Sequence, residues 1–523
     1  MVKTKPIEIW AEYQKGIQYL SNNNVYETIK VNENFYDGRQ WEGLESANLP
    51  KPVFNILQRA GKYMVATICS NDIAVSIVPF TTLPEDVERM KIVSDEVERI
   101  IEIAHIKEDS RVIVRNGFVD GSGYMLQMFN PDYETYQPVK GRVENKIIDC
   151  TNVYFGNPYS NDIQSQPYII VAIRQNVSQV RNEALELGIS KEIAESISPD
   201  NDGLQANDDS DNLVTVLFKF YKVKNKEGVK EVWFTKCTKD ITLIKPTNLE
   251  YRRYPLSCFG WDLKKNSYLY NSPMTSVIPN QIFINKTFAI AQMYGLQSAF
   301  PKIMFDKSKM QIEEFLNSTS PSAVAGLDIA GKFIDFIKIP DFSNNIIDLA
   351  QNVIAQTKDC LGVTDASLGN VKPDNTSAII ALQETSAVPL ELQKQQFFEF
   401  WEDTVRNVLD IIACSYGERM VMTEDEQLAL VDFSMLRDIN FNLKVEIGNG
   451  AQFSEIAQMN TLDKLVQAGY ISPDVYMEAV PSKYIPQKTK LIQSYREQVA
   501  QAQMMQQAME SRGSTPADSV KPL

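Results

Sequence analysis

Residues 276–299 read SVIPNQIFINKTFAIAQMYGLQSA, and this stretch decides the fold. Apolar side chains occur on nearly every side of a helix drawn through it, so the pattern predicts a long helix that must be covered on most sides. By periodicity alone, the stretch favours an ordinary core helix of a monomer. A closed ring of identical subunits could supply the same cover, because each neighbour would present a different complementary patch.

The segments that follow this helix occur in an unusual order. Residues 300–342 predict a small separate module, with a short helix at Lys309–Leu316 and a strand at Lys332–Ile339. Asn344–Leu361 predicts another helix. Gly362–Asn375 (GVTDASLGNVKPDN) contains many glycine, proline, asparagine and aspartate residues, which favour turns, so it predicts a long polar loop.

A very long helix is predicted at Ser377–Tyr416, interrupted only by Pro389. Proline removes one backbone hydrogen bond and should kink the helix at that point. The half after the proline carries an aromatic cluster that should be mostly buried, formed by Phe397, Phe398, Phe400 and Trp401. After a strand region at 430–448 the chain is predicted to be helical again, with Ser472 as the N-cap of one helix.

The first half of the chain mixes helices and strands. Helical spacing predicts helices at residues 7–30, 55–70, 84–104, 110–120 and 177–197. Alternating patterns predict strands at residues 73–79, 124–129, 168–174, 214–222 and 229–235. The segment Gly121-Ser-Gly123 predicts a turn, and the acidic residues 198–211 predict an exposed loop.

Composition and charge exclude several classes of protein. An apolar fraction of 44% is enough to form buried cores, which argues against a disordered scaffold. The net charge of −15 argues against a basic nucleic-acid-gripping surface, because such binding needs lysine and arginine to displace counterions. An acidic wall is compatible with a protein that surrounds DNA without holding it. Neither a signal peptide nor a membrane span of roughly 18 apolar residues is expected.

The residues of catalytic and metal sites do not form recognisable groups in this sequence. The single histidine, His105, is placed on the apolar stripe of a charged helix, and the six scattered cysteines are interpreted as buried thiols. Gly326–Lys332 matches the first seven positions of a phosphate-binding loop, but Phe333 replaces the hydroxyl residue and a strand is predicted to follow. No catalytic residue, cofactor or metal is therefore expected.

Several stretches, taken in order, resemble phage portal proteins, the head-to-tail connectors of tailed bacteriophages. They are Phe35–Trp41, Pro50–Ala60, Asn157–Arg174, Ile278–Ala289, Gly362–Ile379 and Val445–Pro481. Their order makes the resemblance more specific than any one of them, and together they touch most of the chain from about residue 30 to residue 481. The loop at 198–211 and the tail depart from the family pattern.

The resemblance implies an α+β, mainly α fold: an elongated portal-type subunit with wing, stem, clip and crown regions. The implied domains are 1–272, the N-terminal wing; 273–299, stem helix 1; 300–342, the clip; 343–361, stem helix 2; 362–376, the tunnel loop; 377–449, the kinked helix and wing strands; 450–512, the helical crown; and 513–523, a disordered tail.

The resemblance also implies a function and partners. Rings of about twelve copies would form a vertex of the capsid and the channel for DNA packaging and ejection. The partners would be the terminase large subunit, a head-completion or adaptor protein, the major capsid and scaffolding proteins, and double-stranded DNA that passes through non-specifically. The location would be the virion, after assembly in the bacterial host cytoplasm. The chain would not be an enzyme.

The candidate site residues belong to the predicted tunnel loop and to the helix after it. The loop residues expected at the DNA channel are Asp365, Asn370, Lys372, Asp374 and Asn375, and Pro389 is the expected kink. Lys372 is the one basic residue of the loop and is the residue expected to touch phosphates. Two alternatives remain: another virion structural protein, such as a capsid or tail-tube subunit, and a nucleotide hydrolase using Gly326–Lys332.

Overall fold

A computed structural model of the chain divides it into two compact units, one formed by residues 1–69 and 73–446 and the other by residues 70–72 and 447–523. The structure describes residues 3–44, 49–70, 73–80, 83–135, 137–200, 212–226, 228–299, 303–306, 323–326, 334–336, 344–363, 388–422, 428–437, 441–447, 462–466, 470–480, 491 and 494–495.

The larger unit combines ten described α-helices with several small sheets, which confirms an α+β, mainly α fold. Its helices are α1 (Pro6–Asn22), α2 (Val25–Tyr36), α3 (Ile56–Ile68), α4 (Pro84–Ile103), α5 (Ile106–Asp120), α6 (Val177–Glu186), α7 (Lys191–Glu195), α8 (Pro273–Ala299), α9 (Asn344–Cys360) and α10 (Glu391–Ser415). Among the described helices, none has the length and apolar character that crossing a bilayer requires.

Seventeen strands are described. They are β1 (Ile73–Pro79), β2 (Ser122–Asn130), β3 (Arg142–Asp149), β4 (Val153–Phe155), β5 (Tyr168–Asn176), β6 (Leu213–Lys224), β7 (Lys230–Cys237), β8 (Thr242–Asn248), β9 (Leu256–Gly260), β10 (Asp262–Leu263), β11 (Tyr270–Asn271), β12 (Ile303–Asp306), β13 (Ala323–Gly326), β14 (Ile334–Phe336), β15 (Glu418–Met422), β16 (Leu428–Asp432) and β17 (Phe441–Ile447). The largest sheet is antiparallel with the order β4-β5-β6-β7-β8, and a second has the order β3-β2-β9.

Two segments that were each predicted as one continuous helix form two helices in the structure. The helix predicted at 7–30 is interrupted at Asn24, whose backbone φ of 54° is left-handed, so α1 and α2 form instead. The helix predicted at 177–197 is interrupted after Glu186 by Gly188, with φ of 79°. Asparagine and glycine adopt this conformation at little cost, so each ends a helix without disturbing its apolar spacing.

The β3-β2-β9 sheet packs against α5 and α10 through close aromatic contacts. Gly117 on α5 has no side chain where the Phe259 ring lies; a Cβ there would sit 2.5 Å from that ring. The Phe397 ring lies 6.3 Å from the Phe259 ring, measured between centroids. Phe397, Phe400 and Trp401 are buried, which confirms the prediction for three of the four aromatic residues of the cluster, and Phe398 is half-buried.

A buried polar network crosses the same interface. The amide of Asn407 on α10 donates to the Gln127 side chain on β2 at 3.1 Å, and that side chain donates to Ser257 on β9 at 3.2 Å. The hydroxyls of Ser257 and Thr404 lie 2.8 Å apart. Because buried polar groups need partners, this network fixes the position of α10 on the sheet.

The described residues of the smaller unit include the helix α11 (Pro473–Ala479) and a helical segment at residues 462–466. Ser472 occupies the N-cap position as predicted, but its side chain accepts no capping hydrogen bond. The Tyr476 hydroxyl instead donates to Asp463 at 2.5 Å. These two residues join α11 to a helical turn at residues 462–466.

Candidate functional site

The predicted channel residues Asp365, Asn370, Lys372, Asp374 and Asn375 lie outside the described residues, as does the predicted short helix at 309–316. Their position in the channel stays a prediction. The structure does describe both ends of the segment that carries the channel residues. The geometry of the candidate site is therefore that of its base.

The first end is the C-terminus of α9, which closes with Gly362. The Gly362 N–H donates to the Asp359 carbonyl at 2.9 Å, and the Val363 N–H donates to the Lys358 carbonyl at 2.9 Å. Gly362 has φ of 69°, so this is a Schellman cap that satisfies the last carbonyls of the helix. Val363 is fully buried, so the chain is fixed up to the residue before the undescribed segment.

The second end is the 3₁₀ turn Val388–Leu390, directly before α10. Leu390 is buried, and Pro389 lies against the first end: a Cβ on Gly362 would come within 3.0 Å of the Pro389 Cβ. The two ends of residues 364–387 therefore meet. Because residues 377–387 lie outside the described part, the kink at Pro389 stays a prediction.

A shallow cleft of about 240 Å³ lies beside this meeting point, at the N-terminus of α3. Its lining combines apolar side chains with two cations, Arg59 and Lys358. The full lining is Phe54, Asn55, Ile56, Arg59, Ala60, Lys358 and Val363. The cleft at the base of the segment thus has two cationic side chains in a chain whose net charge is −15.

Helix α8 changes character along its length. Its first two-thirds contribute buried residues as far as Ala289, and α9 packs against it. Beyond that point large apolar side chains are exposed: Ile290 is 49% exposed and Leu296 is 52% exposed. On α9, Ile346 and Leu349 are 39% and 51% exposed. The helix pair therefore presents apolar surface that the described part of the single chain leaves in solvent.

The buried part of α8 is held by a polar network that the sequence did not reveal. Asn285 donates to the Gln40 side chain at 2.6 Å, and Gln281 donates to Asn285 at 3.0 Å and to the Phe54 carbonyl at 2.7 Å. Gln40 also donates to the Phe35 carbonyl at 2.9 Å. The stretch Phe35–Trp41 thus anchors α8. A polar residue on each turn of an apolar helix was the only available signal.

The chain between α8 and α9 contains a three-stranded sheet with the order β13-β12-β14. Strand β12 runs parallel to β13 and antiparallel to β14. Gly326 ends β13, and the next described element after Lys332 is the strand Ile334–Phe336, as predicted. A phosphate-binding loop opens a helix, so this arrangement does not favour nucleotide binding at Gly326–Lys332.

The described side chains show no arrangement typical of an active site. Within the described residues no group of three histidine, cysteine or acidic side chains could hold a metal ion. Burial raises the pKa of the Cys69, Cys237 and Cys258 thiols to about 12, so they stay protonated at neutral pH. His105 is not on an apolar stripe, contrary to prediction: it precedes α5 with φ of 53° and a largely exposed ring 3.9 Å from Glu108.

Comparison with known proteins identifies the class. A family model described as Phage P22-like portal protein matches residues 191–513, more than half of the chain. The match includes α8, the inserted sheet, α9 and both ends of the candidate segment. The protein is a phage portal protein, a head–tail connector of the virion. It belongs to the P22-like portal family, which is structural rather than enzymatic. No curated protein sequence matches the chain.

Proposed function

We propose that this chain is the subunit of a ring of about twelve copies that surrounds the DNA channel at one capsid vertex. The observation that carries the proposal is the exposed apolar surface on α8 and α9, in a chain whose family consists of portals. Large apolar patches on a soluble subunit mark interaction sites. Adjacent copies in a ring would cover this surface with a second, different patch.

In the assembled ring the segment 362–376 forms the tunnel loop and DNA passes without sequence-specific contacts. The contact between Gly362 and Pro389 supports this role, because the chain that contains the loop begins and ends at one fixed point. The low density of positive charge supports weak contact, since tight binding to DNA needs many lysine and arginine residues. Lys372 is the residue of the loop that touches phosphates.

Residues 300–342 form the clip, the docking site for the terminase large subunit during packaging and for an adaptor protein afterwards. The sheet β13-β12-β14, carried between two helices, supports this assignment because it is a discrete module. The terminase hydrolyses ATP, and this chain is a passive conduit. The remaining partners are the major capsid and scaffolding proteins, which this chain binds during assembly in the host cytoplasm.

Ring formation tests the proposal directly. Purified protein viewed by negative-stain electron microscopy should show rings of about a dozen lobes with a central hole. We expect Ile290→Lys and Leu296→Lys to reduce ring formation at least tenfold, because a charge would be desolvated in each subunit contact, while circular dichroism stays unchanged.

The matched control is Leu187→Lys, which changes an exposed leucine (47%) at the end of α6, on a different element. It should assemble normally. Wild-type protein that stays monomeric at micromolar concentration, or helix variants that assemble as well as the control, would contradict the proposed use of this surface.

A further inference from the structure

The end of α5 is fastened to the start of α8 by side chains that replace missing helix hydrogen bonds. The Ser272 hydroxyl donates to the Phe118 carbonyl at 2.6 Å, and the Asn32 amide donates to the Val119 carbonyl at 2.7 Å. Asn32 also donates to the Thr275 hydroxyl at 2.8 Å. These residues, with Asp120 and Gly121, are here called the α5–α8 joint.

The backbone of the joint is tightly packed. Gly121 has φ of 98°, and a Cβ at this position would collide with the Tyr270 carbonyl. The Trp261 N–H donates to the Gly121 carbonyl at 2.9 Å. Asp120 is therefore held in one place, between a helix end and the strand that leads into α8.

The Asp120 carboxyl has an unusual environment. Its Oδ1 atom is buried, and no donor among the described residues hydrogen-bonds to it. Burial and the nearby Glu33 raise the pKa of Asp120 to about 8. Asp149 adds to this increase, and the Arg115 guanidinium opposes it. At neutral pH the group is thus mainly a neutral carboxylic acid.

The charged groups around Asp120 favour its neutral form. Arg115 on α5 is already engaged by Glu33 on α2 through two hydrogen bonds of 2.5 Å. Asp149 at the end of β3 adds a second carboxylate. The pKa of the neighbouring Cys150 thiol is raised mainly by burial and also by Asp120. One guanidinium thus faces three carboxyl groups, and an ionised Asp120 would leave excess negative charge in the joint.

We propose that the α5–α8 joint is a proton-dependent latch, in which protonated Asp120 keeps the start of α8 fastened and ionised Asp120 releases it. The latch stands independently of the proposed ring and channel, because it follows from the groups in the joint alone. It makes the attachment of α8 depend on pH below about pH 8.

Proton linkage fixes the direction of the effect. The closed joint retains the Asp120 proton up to about pH 8, whereas an opened, solvated carboxyl releases it near pH 4. Between these values the open form binds fewer protons, so rising pH favours opening. The opening equilibrium constant should increase about tenfold per pH unit and level off above about pH 8.

Hydrogen–deuterium exchange on the whole chain tests this inference. Exchange of peptides covering residues 272–278 is measured at several pH values from about 6 to 9 and corrected for the intrinsic pH dependence of exchange. In the wild-type protein the opening equilibrium constant should increase about tenfold per pH unit and level off above about pH 8. Asp120→Asn should abolish the dependence, since an amide has no proton to lose. A pH-independent opening in the wild type, or the same rise in Asp120→Asn, would overturn the latch.

A second variant keeps the test decisive if Asp120→Asn does not fold. Asp149→Asn removes a like charge from Asp120, lowers its pKa and should move the plateau to lower pH. Asp132→Asn, which changes an exposed carboxyl after β2 that does not act on Asp120, should leave the plateau where it is. An unchanged plateau in Asp149→Asn would overturn the assignment of the transition to this cluster.

Discussion

Single residues with left-handed backbone set the ends of several elements, and Gly362 has the largest structural consequence. Its φ of 69° closes α9, and its missing side chain lets Pro389 pack against the helix end. Gly188 has a similar φ of 79° after α6 but no atom within 4 Å of the position of a Cβ. A comparison of the two glycines therefore separates the cost of a left-handed backbone, which both share, from the cost of a side chain against Pro389, which applies to Gly362 alone.

We expect Gly362→Ala to reduce the free energy of unfolding by more than Gly188→Ala does. Both substitutions force alanine into a left-handed conformation at a cost of about 1–2 kcal/mol. Gly362→Ala adds a close contact with Pro389, which must shift at a further cost of about 1 kcal/mol. Chemical denaturation of the two variants provides the comparison, and equal losses would show that the Gly362–Pro389 contact is unimportant.

At the scale of elements, helices are joined to sheets by buried polar groups as well as by apolar packing. The Lys219 side chain on β6 is 1% exposed and donates to Glu12 on α1 at 2.5 Å and to the Lys3 carbonyl at 2.8 Å. Its ammonium also lies 4.7 Å from the Tyr168 ring centroid. Burial lowers the pKa of Lys219, and Glu12 opposes that shift, so the carboxylate favours the charged form of the lysine.

Glu12→Gln should destabilise the protein by about 3 kcal/mol, because it leaves a buried ammonium without its counter-charge. The control is Glu195→Gln in the exposed Lys191–Glu195 pair, which should change stability by less than about 0.5 kcal/mol. Adding Lys219→Met to Glu12→Gln should recover most of the loss. Thermal and denaturant unfolding measure all three variants, and a Glu12→Gln loss no greater than the control's would contradict this role of Glu12.

Local patterns predicted most elements, but not the contacts between distant ones. Helix α8 was predicted from a long stretch that is apolar on nearly every side, and the long strands from the alternation of their apolar residues. The breaks at Asn24 and Gly188 were missed because a single residue changed the backbone without changing that spacing. The partnership of Gln40 with Asn285 spans 245 positions, and no local pattern encodes it. The channel residues from Asp365 to Asn375 stay predictions.

For the whole molecule, the sheet β13-β12-β14 is inserted in the chain between α8 and α9, two helices that pack against each other. Strands β12, β13 and β14 pair only with one another among the described strands. In the proposed assembly this division separates two tasks: the helices form the ring, and the inserted module receives the packaging motor.

Replacing Asp306–Pro340 with a short glycine–serine linker should therefore leave ring formation intact and abolish terminase docking. Ring formation is read by electron microscopy, docking by co-sedimentation with the terminase large subunit, and packaging by complementation of a portal-deficient phage. The control replaces the acidic residues 201–211 with a similar linker and should keep both properties. Normal packaging by the Asp306–Pro340 variant would refute the clip assignment.

The contact between Gly362 and Pro389 has a consequence for how this protein can vary. Because the chain leaves and re-enters the core at one point, the core does not depend on the number of residues in between. Doubling the length of such a connection costs only about 0.6 kcal/mol in closure entropy. We therefore expect insertions between residues 363 and 388 to leave the stability of the described core nearly unchanged, as long as Gly362 and Pro389 keep their contact.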